Sequence, residues 1–275
     1  MNEYVRKIDE AAAYIKSQVK EIPPVAIILG SGLGKLGDQI ENPQVLPYGE
    51  IPHFKTSTAM GHKGNLVFGT LNGKPVMAMQ GRFHYYEGYT MQQVTFPIRV
   101  MKMLGIKLLI LSNASGGMNT SFRVGDIMVI DDHINLFGTN PLIGQNIDEL
   151  GPRFPEMSCA YDKKYVKLAF EVAEENNIHL QQGVYIGVTG PTFETPSEYK
   201  FFGKIGADAV GMSTVPEVIV ARHMGLPCFA LSIITDMGIT ISGEVEKPTH
   251  EEVQKAANAA EPRMTTIIKK MIERM

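Results

Sequence analysis

The sequence lacks the features that mark several large classes of protein. Only two cysteines, Cys159 and Cys228, occur among its 275 residues, and because they lie far apart they indicate no disulfide framework. Together with sixteen methionines, this scarcity suits a reducing cytosol better than secretion and predicts a cytoplasmic protein. The charged N-terminal segment lacks the apolar core of a signal peptide. No apolar run approaches the roughly eighteen residues that a membrane helix requires.

Strong positive charge and metal-ligand spacing are also missing. The formal net charge is -3 and charges of both signs are interspersed, which argues against a nucleic-acid-binding surface. The histidines and cysteines form no H-x-x-x-H or C-x-x-C pattern, so we expect no bound metal. A chain of this length can bury about three quarters of the surface that its unfolded state exposes, so it needs no metal or disulfide to stabilise its fold. The sequence also contains no linker, low-complexity stretch or strong repeat, and it therefore predicts a single domain over residues 1–275.

Short apolar runs that end in glycine or polar residues alternate with amphipathic segments. Five of these runs are predicted strands: Val25–Leu29, Pro75–Met79, Leu108–Leu111, Gly183–Val188 and Cys228–Ile234. Helices are predicted over the opening segment and over Met91–Leu104, Lys163–Asn176, Val215–His223 and His250–Met275. This alternation is typical of an α/β domain with a largely parallel sheet, in which ligands bind beyond the carboxyl ends of the strands. We therefore expect the polar segments after the five strands to converge on one site.

The segment Gly30–Lys35 directly follows the first predicted strand and is rich in glycine. Backbone N–H groups in such a loop can approach an anion closely, and Ser31 adds a hydroxyl donor. Lys35 stands where the dinucleotide-binding pattern G-x-G-x-x-G needs its third glycine, and the spacing does not match a P-loop either. The alternative is a tight turn between strand and helix. The loop alone does not distinguish these two alternatives, so the prediction of anion binding depends on the other residues of the site.

A second polar segment, Gln80–Glu87, combines a guanidinium group with an imidazole. Arg82 and His84 are two residues apart, so in an extended segment both face the same side, where they suit a phosphate oxyanion. Tyr86 is the next residue on that face and can cover an apolar or sugar-like surface. The alternative for Arg82 is an ordinary surface ion pair with Glu87.

His62 and Ser213 are weaker candidates for the same anion site. His62 lies between glycines in a loop that we expect to be mobile. Ser213 precedes a predicted helix, where a serine is first of all an N-cap, although a helix N-terminus also binds anions. The segment Gly211–Val215 lacks the closing glycine of the G-x-S-x-G nucleophile elbow, which disfavours a serine hydrolase.

An aromatic ring and two carboxylates indicate a site for a heterocycle. Phe193 can stack on such a ring, and Glu194 can accept hydrogen bonds along one edge of it. An exposed glutamate beside a helix start is the alternative for Glu194. Asp236 ends an otherwise apolar strand, where a carboxylate is either paired or has a shifted pKa.

A series of ordered motifs runs through essentially the whole chain. They are GSGLG at Gly30–Gly34, GEIPHF at Gly49–Phe54, GH at Gly61–His62, QGRFHYYEGY at Gln80–Tyr89, NASGGMN at Asn113–Asn119, VGDIMVIDDHINL at Val124–Leu136, RFPEMSCAYD at Arg153–Asp162, GPTFET at Gly190–Thr195, GADAVGMSTVPEVIVARH at Gly206–His223 and THEEV at Thr249–Val253. On these motifs the chain resembles the trimeric purine nucleoside phosphorylases, which share their fold with methylthioadenosine phosphorylase. The resemblance implies a single α/β domain with a central mixed, largely parallel twisted sheet, partly barrel-like and flanked by helices. It also implies a homotrimer.

This family splits a purine nucleoside reversibly with phosphate into the free purine and ribose 1-phosphate, using phosphate as a co-substrate and no cofactor. By motif, the resemblance implies phosphate contacts from Ser31, His62, Arg82, His84, the backbone N–H of Ala114, and Ser213. It implies ribose contacts from Tyr86, Met212 and His250, and from Phe154 of a neighbouring subunit. It implies purine contacts from Phe193, Glu194, Val210 and Asp236. The groups expected to act in catalysis are His84, Glu194 and Asp236.

One position departs from the pattern of the family. Members specific for 6-oxopurines carry asparagine where this chain has Asp236. An ionised aspartate only accepts hydrogen bonds, which suits a 6-amino group, whereas a protonated Asp236 could donate to purine N7. Glu194 accepts well from the N1–H of hypoxanthine or guanine. The sequence therefore leaves the choice between inosine, guanosine and adenosine open.

Three other functions are alternatives. Methylthioadenosine phosphorylase fits Asp236, but His250 suits a polar 5′-hydroxyl better than a methylthio group. A non-catalytic nucleoside-binding protein would keep the pocket without turnover, yet every group required for catalysis is present. A nucleoside hydrolase has no use for an anion cradle and typically needs a cluster of metal-binding aspartates.

Overall fold

The structure is a computed structural model that describes residues 2–31, 33–59, 61–238 and 249–275. Within these residues the α-helices are α1 (Glu3–Gln18), α2 (Lys35–Asp38), α3 (Met91–Leu104), α4 (Lys163–Glu175), α5 (Pro196–Lys204), α6 (Val215–His223) and α7 (His250–Glu273). The strands are β1 (Val25–Leu29), β2 (Glu41–Pro47), β3 (Asn65–Leu71), β4 (Lys74–Gln80), β5 (Leu108–Gly117), β6 (Ile127–Asn135), β7 (Leu180–Gly187), β8 (Ala209–Gly211) and β9 (Cys228–Met237). Two short 3-10 helices cover Tyr48–Glu50 and Tyr85–Glu87.

The strands form one mixed sheet in the order β2-β3-β4-β1-β5-β8-β7-β6-β9. Parallel pairings join β1 to β4, β1 to β5, β5 to β9, β6 to β7, and β7 to β8. Antiparallel pairings join β2 to β3, β3 to β4, β5 to β8, and β6 to β9. Because β9 pairs with both β6 and β5, that half of the sheet closes on itself. The predicted mixed, partly barrel-like α/β fold is confirmed.

The sheet separates two apolar cores. Every residue of β1 is buried, and successive side chains point to opposite faces. Ile28 packs in a core with Ile15 of α1 and residues of α3 and α6, whereas Ile27 packs in the other core with Ile267 of α7 and residues of α4. Because helices cover both faces, the central strands need apolar residues at every position. This explains why continuous apolar runs predicted them correctly.

Local sequence signals set the helix boundaries close to the predicted ones. Thr90 accepts from the N–H of Gln93, whose side chain accepts from the N–H of Thr90, and this capping box starts α3. Gly105 ends α3 with a φ of 97°, a conformation that favours glycine. Helices α4 and α7 end one and two residues earlier than predicted, at Glu175 and Glu273. No helix in the described part of the chain is long and apolar enough to cross a membrane.

Two segments predicted as loops belong to strands. β5 continues beyond Leu111 through Gly117, and β9 continues beyond Ile234 through Met237. The two strands pair in parallel over this whole length, with a register shift between Ser115 and Gly116 that leaves Gly116 opposite Asp236. The backbone pairing outweighs the polar side chains, so these groups are held on a sheet rather than in flexible loops.

Candidate active site

A cavity of about 270 Å³ lies where the carboxyl ends of β1, β4, β5, β7 and β9 meet. Twelve of the residues predicted for the site line it: Ser31, Arg82, His84, Tyr86, Ala114, Phe193, Glu194, Val210, Met212, Ser213, Asp236 and His250. The polar segments after the five strands thus converge as expected. The cavity has a basic end, around Arg82 and His84, and a carboxylate end, around Glu194 and Asp236; we call them the phosphate end and the base end after the ligands proposed for them below.

Arg82 is the most deeply buried polar side chain of the phosphate end, with 1% of its surface exposed. Its Nη1 donates to Oγ of Ser213 at 2.8 Å, and its Nε lies 3.3 Å from Oε1 of Glu217. Glu217 is also buried and lies in the first turn of α6. The guanidinium therefore has a compensating negative charge behind it. The alternative of a surface ion pair between Arg82 and Glu87 is wrong.

Glu87 instead orients His84. One carboxylate oxygen accepts from the backbone N–H of His84 at 2.7 Å and lies 3.1 Å from its Nδ1, while the other accepts from the N–H and the hydroxyl of Thr58. Burial raises the pKa of Glu87, but these hydrogen bonds outweigh it and lower that pKa to about 2. The ring of Tyr86 stacks on that of His84, with centroids 4.7 Å apart. His84 is thus fixed on two sides, with Nδ1 turned to Glu87.

His62 does not line the cavity but lies directly beside it. Its Nδ1 accepts from the backbone N–H of Arg82 at 3.2 Å, and its Nε2 lies 3.4 Å from Oγ of Ser31. Burial, followed by the positive charges of His84 and Arg82, lowers the pKa of His62 to about 4. At neutral pH His62 is therefore an uncharged ring, and its Nδ1 also lies 3.3 Å from the carbonyl oxygen of Arg82.

Ser213 is not an N-cap, contrary to one prediction. The N-cap of α6 is Thr214, which has φ 67° and ψ -54° and makes no side-chain cap hydrogen bond. The N–H of Val215 donates to the carbonyl of Ser213 at 2.7 Å, so Thr214 lies at the centre of a γ-turn with positive φ. This conformation is strained for a β-branched residue. The amide of Asn113 donates to Oγ1 of Thr214 at 2.8 Å and holds the turn that aims Ser213 at Arg82.

The base end brings two carboxylates together beside an exposed aromatic ring. Burial raises the pKa of Glu194, and the negative charge of Asp236 raises it further. Asp236 itself is buried, and it accepts from the hydroxyl groups of Tyr199 at 3.2 Å and Thr235 at 3.0 Å. Phe193 is 45% exposed at the cavity wall. The arrangement can read hydrogen-bonding groups along the edge of a flat, partly apolar ligand.

Phe154 is the one predicted site residue that lies apart from the cavity in this chain. It is 87% exposed, and the guanidinium of Arg153 lies 5.7 Å from its ring centroid. It lines a separate cavity with the exposed side chain of Ile143. The ring of Phe154 therefore does not line the cavity that holds the other predicted residues of the site.

Known proteins resemble this chain closely in sequence and in structure. The model of the phosphorylase superfamily matches residues 24–273. The chain is 52% identical to purine nucleoside phosphorylase 1 of Bacillus subtilis (strain 168). The alignment spans 267 residues and covers 97% of each chain. The chain belongs to the purine nucleoside phosphorylase family.

Solved structures of this family match over nearly the whole chain. The purine nucleoside phosphorylase of Schistosoma mansoni in complex with adenosine has a TM-score of 0.93 and 44% identity, covering 98% of both chains. A structure of the Schistosoma mansoni protein in complex with inosine also has a TM-score of 0.93, with 43% identity, covering 98% of this chain and 97% of that one.

Eight residues that line the cavity of this member of the purine nucleoside phosphorylase family were not predicted from the sequence. They are Asn113, Ser115, Gly116, Pro191, Tyr199, Gly211, Thr235 and Val253. Most adjoin predicted site residues and could have been found from that proximity. Tyr199 carries no such signal, because it lies on the buried face of α5 and its local sequence does not distinguish it from a core residue. Within the described residues, no group of three or more His, Cys, Asp or Glu side chains could hold a metal ion.

Proposed function

We propose that this chain catalyses the reversible phosphorolysis of purine ribonucleosides and deoxyribonucleosides to the free purine and (deoxy)ribose 1-phosphate, in purine salvage. The observation that carries the proposal is one cavity with a cradle of Arg82, His84 and Ser213 at one end and the carboxylates of Glu194 and Asp236 at the other. Membership of the purine nucleoside phosphorylase family supports the same reaction.

Phosphate binds at the phosphate end in this proposal. The guanidinium of Arg82, oriented by Glu217, pairs with phosphate oxygens. His84 keeps Nδ1 on Glu87, so its Nε2 is the nitrogen available to the anion. Ser213 adds a hydroxyl donor. The remaining proposed phosphate contacts come from Ser31, with His62 behind it, and from the backbone N–H of Ala114.

The bound phosphate is the nucleophile of the reaction. Its oxygen forms a bond to C1′ of the sugar while the bond from C1′ to purine N9 breaks, and the electron pair of that bond leaves with the purine. The sugar develops oxocarbenium-like positive charge, which the phosphate dianion beneath it stabilises. Positioning alone can contribute about 7–11 kcal/mol through effective molarity, and the oriented charges of the site add to it. The chemistry needs neither a cofactor nor a nucleophilic side chain.

Sugar and base occupy the middle and the base end of the cavity. Tyr86 and Met212 cover the ribose, and His250, the first residue of α7, reaches its 5′-hydroxyl. The purine stacks on Phe193 beside Val210, with its N1, C6 and N7 edge towards Glu194 and Asp236. Glu194 and Asp236 accept or donate protons along that edge, and a donor at N7 stabilises the leaving purine.

Both 6-oxopurine and 6-aminopurine nucleosides are proposed substrates. An ionised Glu194 accepts from the N1–H of a 6-oxopurine, and its raised pKa eases the protonation that lets it donate to N1 of adenine. Asp236 accepts from a 6-amino group when ionised. We therefore expect inosine and guanosine to be cleaved, with adenosine tolerated better than in relatives that carry asparagine at this position.

The direct test is release of free base from inosine, guanosine, adenosine and 5′-methylthioadenosine, each with and without phosphate. Release that requires phosphate, from at least one of the first three, is the expected result. Release without phosphate would indicate a hydrolase and contradict the anion site. A preference for methylthioadenosine would support that phosphorylase instead, and binding without release of any base would leave a nucleoside-binding protein.

We further propose that the protein is a single-domain, cytoplasmic homotrimer in which Phe154 covers the sugar bound by a neighbouring subunit. The exposure of this ring away from its own cavity supports the assignment. Light scattering should give a trimer, and Phe154→Ala should raise the KM for nucleoside more than it lowers kcat. A fully active monomer would contradict the shared site.

A further inference from the structure

Tyr199 is a buried residue of the base end to which the proposed reaction gives no role. It lies in α5, five residues after Glu194, and 2% of its surface is exposed. Its hydroxyl donates to Oδ2 of Asp236 at 3.2 Å and also interacts with the carboxylate of Glu194. Burial, followed by the negative charges of Asp236 and Glu194, raises the pKa of Tyr199 far above its ordinary value. The hydroxyl therefore keeps its proton and acts as a donor to carboxylate.

Two glycines form the slot that fixes this tyrosine. A Cβ atom on Gly238 would lie 2.2 Å from the ring of Tyr199, and one on Gly116 would lie 2.6 Å from its hydroxyl oxygen. Neither contact is possible without displacement of the ring. Tyr199 thus fits only because both neighbours are glycine. The slot aims the hydroxyl at the edge of the cavity instead of letting the ring turn within the core.

The carboxylate of Asp236 has a hydroxyl donor on each oxygen. Oδ2 accepts from Tyr199, and Oδ1 accepts at 3.0 Å from the hydroxyl of Thr235, which also lies 3.2 Å from the carbonyl oxygen of Ser115. Hydrogen bonds donated to a carboxylate favour its ionised form, and two donors on opposite oxygens also fix its rotation. The arrangement prepares Asp236 to accept a hydrogen bond rather than to donate one.

We propose that Tyr199 is a specificity-determining positioning residue, which holds Asp236 as an ionised acceptor for the 6-amino group of adenine nucleosides. This inference rests on the proposed function and deepens it. A 6-oxo group places a second acceptor against Asp236, so a 6-oxopurine requires the carboxyl to gain a proton that the bond from Tyr199 disfavours. Removal of the hydroxyl should thus lower kcat/KM for adenosine more than kcat/KM for inosine.

The experiment compares Tyr199→Phe, Asp236→Asn and the double variant with the wild type. For each protein, kcat/KM is measured for adenosine and inosine at saturating phosphate, and calorimetry gives the Kd for adenine and hypoxanthine. In Tyr199→Phe the adenosine-to-inosine ratio should fall about fivefold or more, because one hydrogen bond to a charged group is lost. In the Asp236→Asn background the same change should move the ratio less than about twofold.

This double-mutant cycle separates a positioning role from a structural one. If the role of Tyr199 is only structural, Tyr199→Phe should lower kcat/KM for both substrates equally and leave their ratio unchanged in both backgrounds. That result would refute the proposal. Tyr165→Phe, on the distant helix α4, is the matched control and should leave the ratio unaltered. If Tyr199→Phe does not fold, Thr235→Val tests the other donor to the same carboxylate. It should move the ratio in the same direction, and a shift towards adenosine would count against the inference.

The outcome also distinguishes this inference from the proposed function. If the wild type releases no base from either nucleoside in the presence of phosphate, the proposed function fails. If the wild type cleaves both nucleosides and Tyr199→Phe leaves the ratios of kcat/KM and Kd unchanged, only the role of Tyr199 fails.

Discussion

The two ends of the cavity differ in the groups that surround their buried ionisable side chains. At the phosphate end each basic group has a carboxylate behind it: Glu217 lies 3.3 Å from Arg82, and Glu87 lies 3.1 Å from Nδ1 of His84. At the base end the carboxylates themselves line the cavity, and the hydroxyl groups of Tyr199 and Thr235 donate to Asp236. In the first arrangement carboxylates orient the basic groups from behind, and in the second the carboxylates themselves are presented to the ligand.

A comparison of two glutamates makes the difference concrete. Glu87 and Glu194 have the same side chain, and burial raises the pKa of both. At Glu87 hydrogen bonds from His84 and Thr58 outweigh burial and bring the pKa to about 2, whereas at Glu194 burial prevails and the pKa is raised. The balance between burial and donated hydrogen bonds thus sets the direction in which the pKa of each carboxyl group shifts.

The largest effect should come from removal of the central cation of the phosphate end. Arg82→Gln should lower phosphate-dependent kcat/KM by about 10³-fold, because phosphate loses its principal counter-charge. It should also lower the free energy of unfolding by about 3 kcal/mol, because Glu217 would be left buried and unpaired. Steady-state kinetics and urea unfolding measure the two effects.

The control for this prediction is the double variant Arg82→Gln/Glu217→Gln. It removes the uncompensated charge and should regain most of the lost stability without regaining activity. Recovery of activity together with stability would mean that Arg82 acts on the fold alone.

The second effect concerns the base end and should alter preference rather than rate. Asp236→Asn replaces an acceptor by an amide that can donate to N7 and to a 6-oxo group. The ratio of kcat/KM for inosine to that for adenosine should therefore rise about tenfold or more. Kinetics with the two nucleosides at saturating phosphate measure it. An unchanged ratio would show that Asp236 does not select the base.

A smaller effect is expected from the strained turn beside the phosphate end. Thr214→Val keeps the branched shape but loses the Oγ1 that accepts from Asn113, so Ser213 should be less well aimed. We expect the KM for phosphate to rise about fivefold, in line with loss of one buried hydrogen bond. Thr214→Ser keeps the hydroxyl and should change this KM less than twofold or so. Equal effects of the two variants would contradict the positioning role of the hydroxyl.

The smallest effect should be a pH-dependent loss of stability in Glu87→Gln. The folded-state pKa of Glu87 is depressed from its ordinary value of 4.5 to about 2, so its stabilising contribution is complete above pH 4.5 and is lost as the pH falls towards 2. The stability difference between wild type and variant should therefore shrink by about 1 kcal/mol between pH 7 and pH 4. Urea unfolding at both pH values measures it. The exposed Glu251→Gln is the control, and a difference that grows on acidification would contradict the assignment.

Much of the fold could be predicted because its signals are local. The run Val25–Leu29 is apolar at every position since helices cover both faces of the sheet, and the prediction matches β1 residue for residue. The helix Val215–His223 is likewise predicted with its observed ends. The polar segments Asn113–Gly116 and Thr235–Asp236 were predicted as loops, because nothing local in them reveals that they pair with each other.

The sequence by itself determined most of the residues that the structure brings together around the cavity. Arg82 and His84 lie two apart, and Phe193 adjoins Glu194, so short-range spacing is sufficient to pair them. Only the tertiary structure decided how those groups are held. Glu217 lies 135 residues after the Arg82 that it compensates, and Tyr199 lies 37 residues before the Asp236 that it orients. Such partners meet because the sheet brings distant strand ends together, and no local pattern encodes that meeting.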